Sequence, residues 1–113
     1  MSESFVYMTA SDAAEATRIG RALVEERLVA CVNILNDMRS IYWWQGQVET
    51  SAEVVLIAKT RTELVEPLIA RVKSLHSYEC PCVIALPIAA GNPDYLAWIQ
   101  SETRPQNPEE HPA

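Results

Sequence analysis

The spacing of apolar and polar residues changes period several times along the chain, and each change marks an element. Residues 5–10 form a short, mostly apolar run closed by Ser11 and Asp12, which predicts a strand. Asp12-Ala13-Ala14-Glu15 has the spacing of a capping box, in which the first acid takes a free backbone N–H and the second reaches back. Ala16, Ile19, Leu23 and Val24 then recur near helical spacing while Arg18, Arg21, Glu25 and Glu26 take other faces, predicting an amphipathic helix over 13–27. Two strand-like stretches follow, facing each other across Trp44-Gln45-Gly46-Gln47. The first covers 29–43 with an irregular middle at Asn36-Asp37. The second, 48–60, alternates: Val48, Thr50, Ala52, Val54, Leu56 and Ala58 share one face, and Glu49, Ser51, Glu53 and Lys59 the other. Period-2 alternation on a glycine-containing turn predicts a hairpin. Strands of about 13 residues exceed the usual 5–6, so the hairpin overhangs its domain and Ile41, Tyr42, Trp43 and Trp44 need a cover.

Leu64, Val65, Leu68, Ile69, Val72 and Leu75 form the apolar stripe of a second helix. Pro67 lacks the N–H that an interior position donates, so the regular helix is expected to start near Glu66 or to have an irregular first turn. Residues 83–88 read as a compact strand in which Pro87 suggests an edge or a bulge. Asn92-Pro93 supplies an N-cap and an N1 proline for a short last helix through Tyr95, Leu96, Trp98 and Ile99. This order predicts an α+β fold, a ferredoxin-like split βαβ sandwich with a long β-hairpin and a C-terminal helix. The two principal helices cover one sheet face and leave the other open in a lone chain. Residues 1–103 are read as a single domain, and 104–113, with three prolines, as a flexible tail carrying a solvated His111.

The 113 residues suit one domain with a modest core. No apolar run is long enough to span a membrane, and the first residues lack the layout of a secretory signal. A net charge of −6 has the wrong sign for sequence-blind nucleic-acid binding. The odd count of cysteines, Cys31, Cys80 and Cys82, argues for reduced thiols and a cytoplasmic protein. Three glycines, no phosphate-binding loop and neither a Gly-x-Ser-x-Gly nor a His-Glu-x-x-His motif argue against an enzyme.

Five stretches in order carry a resemblance. They are Ala30-Cys31-Val32-Asn33, Ser40-Ile41-Tyr42-Trp43-Trp44-Gln45-Gly46, Glu53 with Lys59-Thr60, His76-Ser77-Tyr78-Glu79-Cys80-Pro81, and Gly91-Asn92-Pro93-Asp94-Tyr95-Leu96-Ala97-Trp98. Together they resemble the CutA family of divalent-cation tolerance proteins over residues 5–101. Ser77 departs from the family's usual proline, and Cys80 stands where a small or polar residue is common. The resemblance implies a homotrimer with sheets packed inside and hairpins reaching neighbouring subunits, architecturally similar to PII-type signalling proteins. It also implies a role in tolerance of copper and other divalent metals.

His76, Glu79, Cys80 and Cys82 concentrate potential metal ligands in one segment. Imidazole and thiolate suit copper or zinc, and Glu79 adds a hard oxygen. On an extended strand the two sulfurs would sit about 6.5–7 Å apart, wide for one ion without bending at Pro81. The packing alternative makes Cys82 a small core residue, Cys80 an incidental surface thiol and His76 a helix-terminal imidazole. Cys31 and Met8, in apolar runs, read as core residues first. The expectation is a copper or other divalent ion, weakly bound.

A second constellation joins Glu53, Lys59, Tyr78, Glu79 and Trp44. Glu53 and Lys59 project from the polar face of one strand, and the family match would bring the His76 turn near it. The alternative function is accordingly a PII-like trimeric sensor that binds an anionic or polar small molecule in the intersubunit cleft. The bland reading is a set of structural contacts between subunits, with Trp43, Trp44 and Trp98 sealing them.

Overall fold

A computed structural model describes residues 2–105 of the chain. The elements run β1 (Glu3–Ala10), α1 (Ala13–Glu25), β2 (Cys31–Trp44), β3 (Gln47–Arg61), a single 3-10 turn (Thr62–Leu64), α2 (Val65–Leu75), β4 (Val83–Pro87) and α3 (Pro93–Glu102). This is a small α+β domain on a four-stranded sheet of order β2-β3-β1-β4, antiparallel throughout.

The alternation in β3 sorts its side chains as expected. Val54, Leu56 and Ala58 join Val6, Met8 and Ala10 of β1 in a core closed by Ile19 and Leu23 of α1 and Leu68 and Val72 of α2. Burying each large aliphatic side chain contributes about 1.5–3 kcal/mol. Met8 is therefore a packing residue, 1% exposed. The expected tail begins at Arg104, whose N–H bonds the Arg27 carbonyl at 2.9 Å; positions 106–113, including His111, lie outside the described residues.

Local chemistry sets the ends. Asp12 caps α1 by accepting the Glu15 N–H at 2.8 Å, but Glu15 reaches one residue further than a capping box requires, to the Ser11 N–H at 2.9 Å. The helix closes at Glu25 because Arg27 turns left-handed (φ 60°) and Leu28 donates back to the Leu23 carbonyl. Pro67 is accommodated because the 3-10 turn leads into α2 and leaves the proline in its first helical turn, where an N–H has no intrahelical acceptor. Pro87 ends β4, which lies at the sheet edge and among the described residues pairs with β1 alone.

The hairpin turns tightly on Gln45 (φ 50°) and Gly46 (φ 80°), both left-handed, as a two-residue turn of the I′ kind demands. The expected irregularity at Asn36-Asp37 is a register shift between Leu35 and Met38, with Asp37 at φ 65°. Its consequence is large. Before the shift Cys31, Asn33 and Leu35 face the same way as Lys59, Ile57 and Val55; after it Met38, Ser40, Tyr42 and Trp44 share a side with Glu53, Ser51, Glu49 and Gln47. The hairpin overhangs the domain and stretches the chain to 51 × 27 × 24 Å.

The second sheet face is not wholly open, as the pattern alone implied. Arg61 reaches from it to the Thr103 hydroxyl at 2.9 Å and the Gln100 carbonyl, so α3 crosses one end of that face and buries Ile99. Ile84 and Leu86, each 55% exposed, remain uncovered beyond it.

Candidate functional site

The segment between α2 and β4 is fixed by buried polar contacts. His76 caps α2, and its side chain is 1% exposed. Its Nε2 bonds the Thr9 carbonyl at 2.7 Å, while its Nδ1 accepts the Tyr78 N–H at 3.0 Å. One nitrogen must donate and the other accept, which defines a neutral ring with its proton on Nε2. Glu15 anchors the same segment from α1: its Oε2 accepts the Ser77 N–H at 2.7 Å. Burial by itself would raise the Glu15 pKa, but the hydrogen bonds from Ser11 and Ser77 outweigh it and hold the carboxyl at about 2.

So tethered, Tyr78 lies against the His76 ring (centroids 4.7 Å apart) and donates its hydroxyl hydrogen to Glu53 Oε2 at 2.8 Å. Burial pushes the phenol pKa upward, and the hydrogen bond and charge of Glu53 push it the same way. Thr9, Tyr42, Trp44, Glu53, Tyr78, Glu79, Cys80 and Cys82 line a cavity of about 410 Å³ beneath the hairpin. Burial raises the Cys82 thiol, and the neighbouring Glu53 and Cys80 add to the effect.

The two sequence-derived constellations thus largely merge. Glu79, Cys80 and Cys82 from the first meet Glu53, Tyr78 and Trp44 from the second on one cavity wall. Two members stay apart. His76 lies behind Tyr78 with both ring nitrogens engaged, so a metal could reach it only by displacing Thr9 or Tyr78. Lys59 pairs with Phe5 and Cys31 at the far end of β3, six residues from Glu53, or about 20 Å of strand. Its ammonium bonds the Asn33 side chain instead. Glu53 and Lys59 share a strand face, as expected, and within one chain they lie apart along it. Among the described residues no three His, Cys, Asp or Glu side chains gather into a ready ligand set.

Thr9 and Tyr42 were not anticipated in the cavity. Tyr42 was detectable in principle, two residues from Trp44 on a pleated strand; Thr9 carries no comparable signal. Cys31, read as a buried core residue, is half-buried on the α3 side of the sheet with its sulfur 3.6 Å from the Tyr95 hydroxyl.

A small α+β domain with a cavity of carboxylates, thiols and aromatic rings under a long hairpin defines the class. The family pattern described as CutA1 divalent ion tolerance protein matches residues 4–102. The chain belongs to this family. It is 48% identical over 101 residues to the divalent-cation tolerance protein CutA of Thermus thermophilus, covering 89% of this chain and 98% of that protein. It is 46% identical over 99 residues to the chloroplastic CutA 1 of Oryza sativa, covering 88% of this chain but spanning 56% of that relative's length. The crystal structure of CutA1 from Oryza sativa superposes with a TM-score of 0.90 at 43% identity, covering 92% of this chain and 95% of that one. The Thermus thermophilus structure gives 0.88 at 47% identity, covering 90% and 99%.

Proposed function

We propose that this protein serves divalent-cation tolerance by holding copper or another divalent cation weakly at the cavity, through Cys80, Cys82 and Glu79. The supporting observation is that these three side chains, from one short segment, line a common cavity with the buried Glu53. Thiolates supply soft ligands and carboxylates lower the cost of bringing a cation in. Two features make the binding weak: the Cys82 thiol resists losing its proton, and no ready set of three ligands exists among the described residues. His76 joins such a site only by giving up its bonds to Thr9 and Tyr78.

In this reading the working unit is a non-catalytic homotrimer in the cytoplasm, and each chain is a ferredoxin-like split βαβ sandwich. Sheet order and the placement of α1 and α2 support the sandwich. Trp43, 75% exposed, with Ile41, Val48, Ile84 and Leu86 supports burial between copies. Sedimentation should return three chains, and a monomer at micromolar concentration would contradict it. The metal site is tested by titrating Cu(I), Cu(II) and Zn(II) into reduced, untagged protein. Saturable binding should weaken sharply in Cys80→Ser/Cys82→Ser, and equal affinity in that variant would remove the site.

A further inference from the structure

His76 carries a hydrogen-bond pattern that a single proton reverses. Its side chain is 1% exposed and bonds through both ring nitrogens: Nε2 to the Thr9 carbonyl at 2.7 Å, Nδ1 to the Tyr78 N–H at 3.0 Å. Only a neutral ring has this pattern, because a protonated imidazole carries a hydrogen on each nitrogen and accepts nothing. A second proton sets Nδ1–H against the Tyr78 N–H, donor to donor. Thr9 keeps its bond, since Nε2 donates in both states.

The new donor has a partner close by. Glu15 Oε1 lies 3.9 Å from Nδ1, about 1 Å beyond hydrogen-bond distance, and its side chain is 4% exposed. A carboxyl whose pKa is about 2 stays charged throughout the range where imidazoles ordinarily gain their proton, about pH 8 to 5. Oε1 already accepts the Ser11 N–H and the Ser11 hydroxyl. Ser11 is half-buried, so its hydroxyl can turn to water and vacate a lone pair while Asp12 keeps α1 capped.

The other groups around the ring pull both ways. Burial opposes a cation there. The carbonyl-rich end of α2, which His76 caps, favours one, and Lys73 in the last turn opposes it. From α1, the exposed Arg18 lies 3.8 Å from Glu15 Oε2 and offsets part of that charge. β1 presents the Thr9 carbonyl, and Glu53 of β3 acts through the Tyr78 hydroxyl.

We propose that His76 is an acid-operated switch: a second proton turns Nδ1 from acceptor to donor, passes the ring from Tyr78 to Glu15 and lets go of the segment after α2. Tyr78 is held by its N–H bond to the ring, by its tilted stack on the imidazole and by its hydroxyl bond to Glu53. Protonation removes the first and moves the ring that supports the second. Glu79, Cys80 and Cys82 follow on the same stretch before β4, so acid changes how they are presented. The switch is internal to one chain, needs no bound cation and does not rest on the proposed metal site.

The test follows ring and backbone together by NMR in full-length nitrogen-15-labelled protein, with a chelator present, from about pH 8 to 5. The chain has two histidines, so His111→Ala leaves one imidazole to observe. Nε2 alone should be protonated at the alkaline end and both nitrogens at the acid end, with the Tyr78 amide resonance moving on the same curve. In Glu15→Gln the ring should need about tenfold more acid. Circular dichroism checks folding; should Glu15→Gln fail to fold, the surface variant Arg18→Gln decides, because it should move the curve to higher pH. Arg21→Gln, an equal loss of charge on the same helix but paired with Glu25, should leave it in place. A ring that keeps a single proton down to pH 5 in folded protein would overturn the proposal. So would a Tyr78 amide that stays still while the ring titrates, or equal shifts in Arg18→Gln and Arg21→Gln.

Discussion

The Tyr78 hydroxyl donates to Glu53 Oε2 at 2.8 Å, joining the segment after α2 to β3 and forming one side of the cavity. Tyr78→Phe removes that donor and leaves a buried carboxylate oxygen unsatisfied. The expected loss is about 1–3 kcal/mol, read as a lower denaturant midpoint at unchanged slope. An unchanged midpoint would mean that water replaces the phenol freely and that Glu53 is wetter than its 8% exposure indicates.

Glu15 makes the stability of this region acid-sensitive. Its pKa is about 2 in the folded chain against 4.5 unperturbed, a depressed value. A depressed carboxyl contributes stability that is fully present above its unfolded pKa and is lost as pH falls through the folded one. The window is therefore pH 4.5 down to about 2, and the contribution is about 3 kcal/mol at most. Glu15→Gln should flatten the stability profile across that window while lowering stability at neutral pH. Parallel acid limbs for the two proteins would assign the acid sensitivity to other groups.

The hairpin turn offers a prediction of opposite signs at neighbouring positions. Gly46 sits at φ 80° with open space where a Cβ would project, so Gly46→Ala meets strain without a clash. The cost is about 1 kcal/mol. Gln45 already bears that strain at φ 50°, and Gln45→Asn, which tolerates the left-handed region better, should stabilise by about 0.5 kcal/mol. Thermal unfolding of both variants measures the pair; equal shifts of the same sign would mean that the turn differs from the I′ geometry.

Much of this architecture was legible because period and punctuation are local. Alternation located β3, Asn36-Asp37 located the register shift, and Asn92-Pro93 opened α3. The cavity was only half legible. Alternation puts Glu53 and Lys59 on one face, about 20 Å apart along the strand, and says nothing about which residues another copy of the chain brings beside either. The register shift hides a second relation: it moves Tyr42 and Trp44 to the side of Glu53, whereas uninterrupted alternation from Cys31 would have placed them opposite. His76 looked like a free ligand because a sequence lists its nitrogens without their partners. Thr9 O and the Tyr78 N–H come from segments 67 and two residues away, and only the fold delivers the first.

The thiols should react in a fixed order. Cys80 is exposed, whereas Cys82 is half-buried and its pKa is raised by burial, by Glu53 and by Cys80. The thiolate is the nucleophile, so access favours Cys80 and the raised pKa of Cys82 holds that thiol back. With iodoacetamide at pH 7, peptide mass mapping should find Cys80 alkylated several-fold faster. The Cys82 rate should keep climbing with pH beyond the point where an ordinary thiol levels off. Glu53→Gln should quicken Cys82 selectively, because it removes a neighbouring negative charge that opposes the thiolate. A divalent cation held at the proposed site should slow both thiols together and leave Cys31, on the same sheet face but at the Lys59 end of β3 beside Tyr95, unaffected. Protection of Cys31 as well would point to general thiol scavenging, and equal rates at Cys80 and Cys82 would mean that the segment opens faster than it is alkylated.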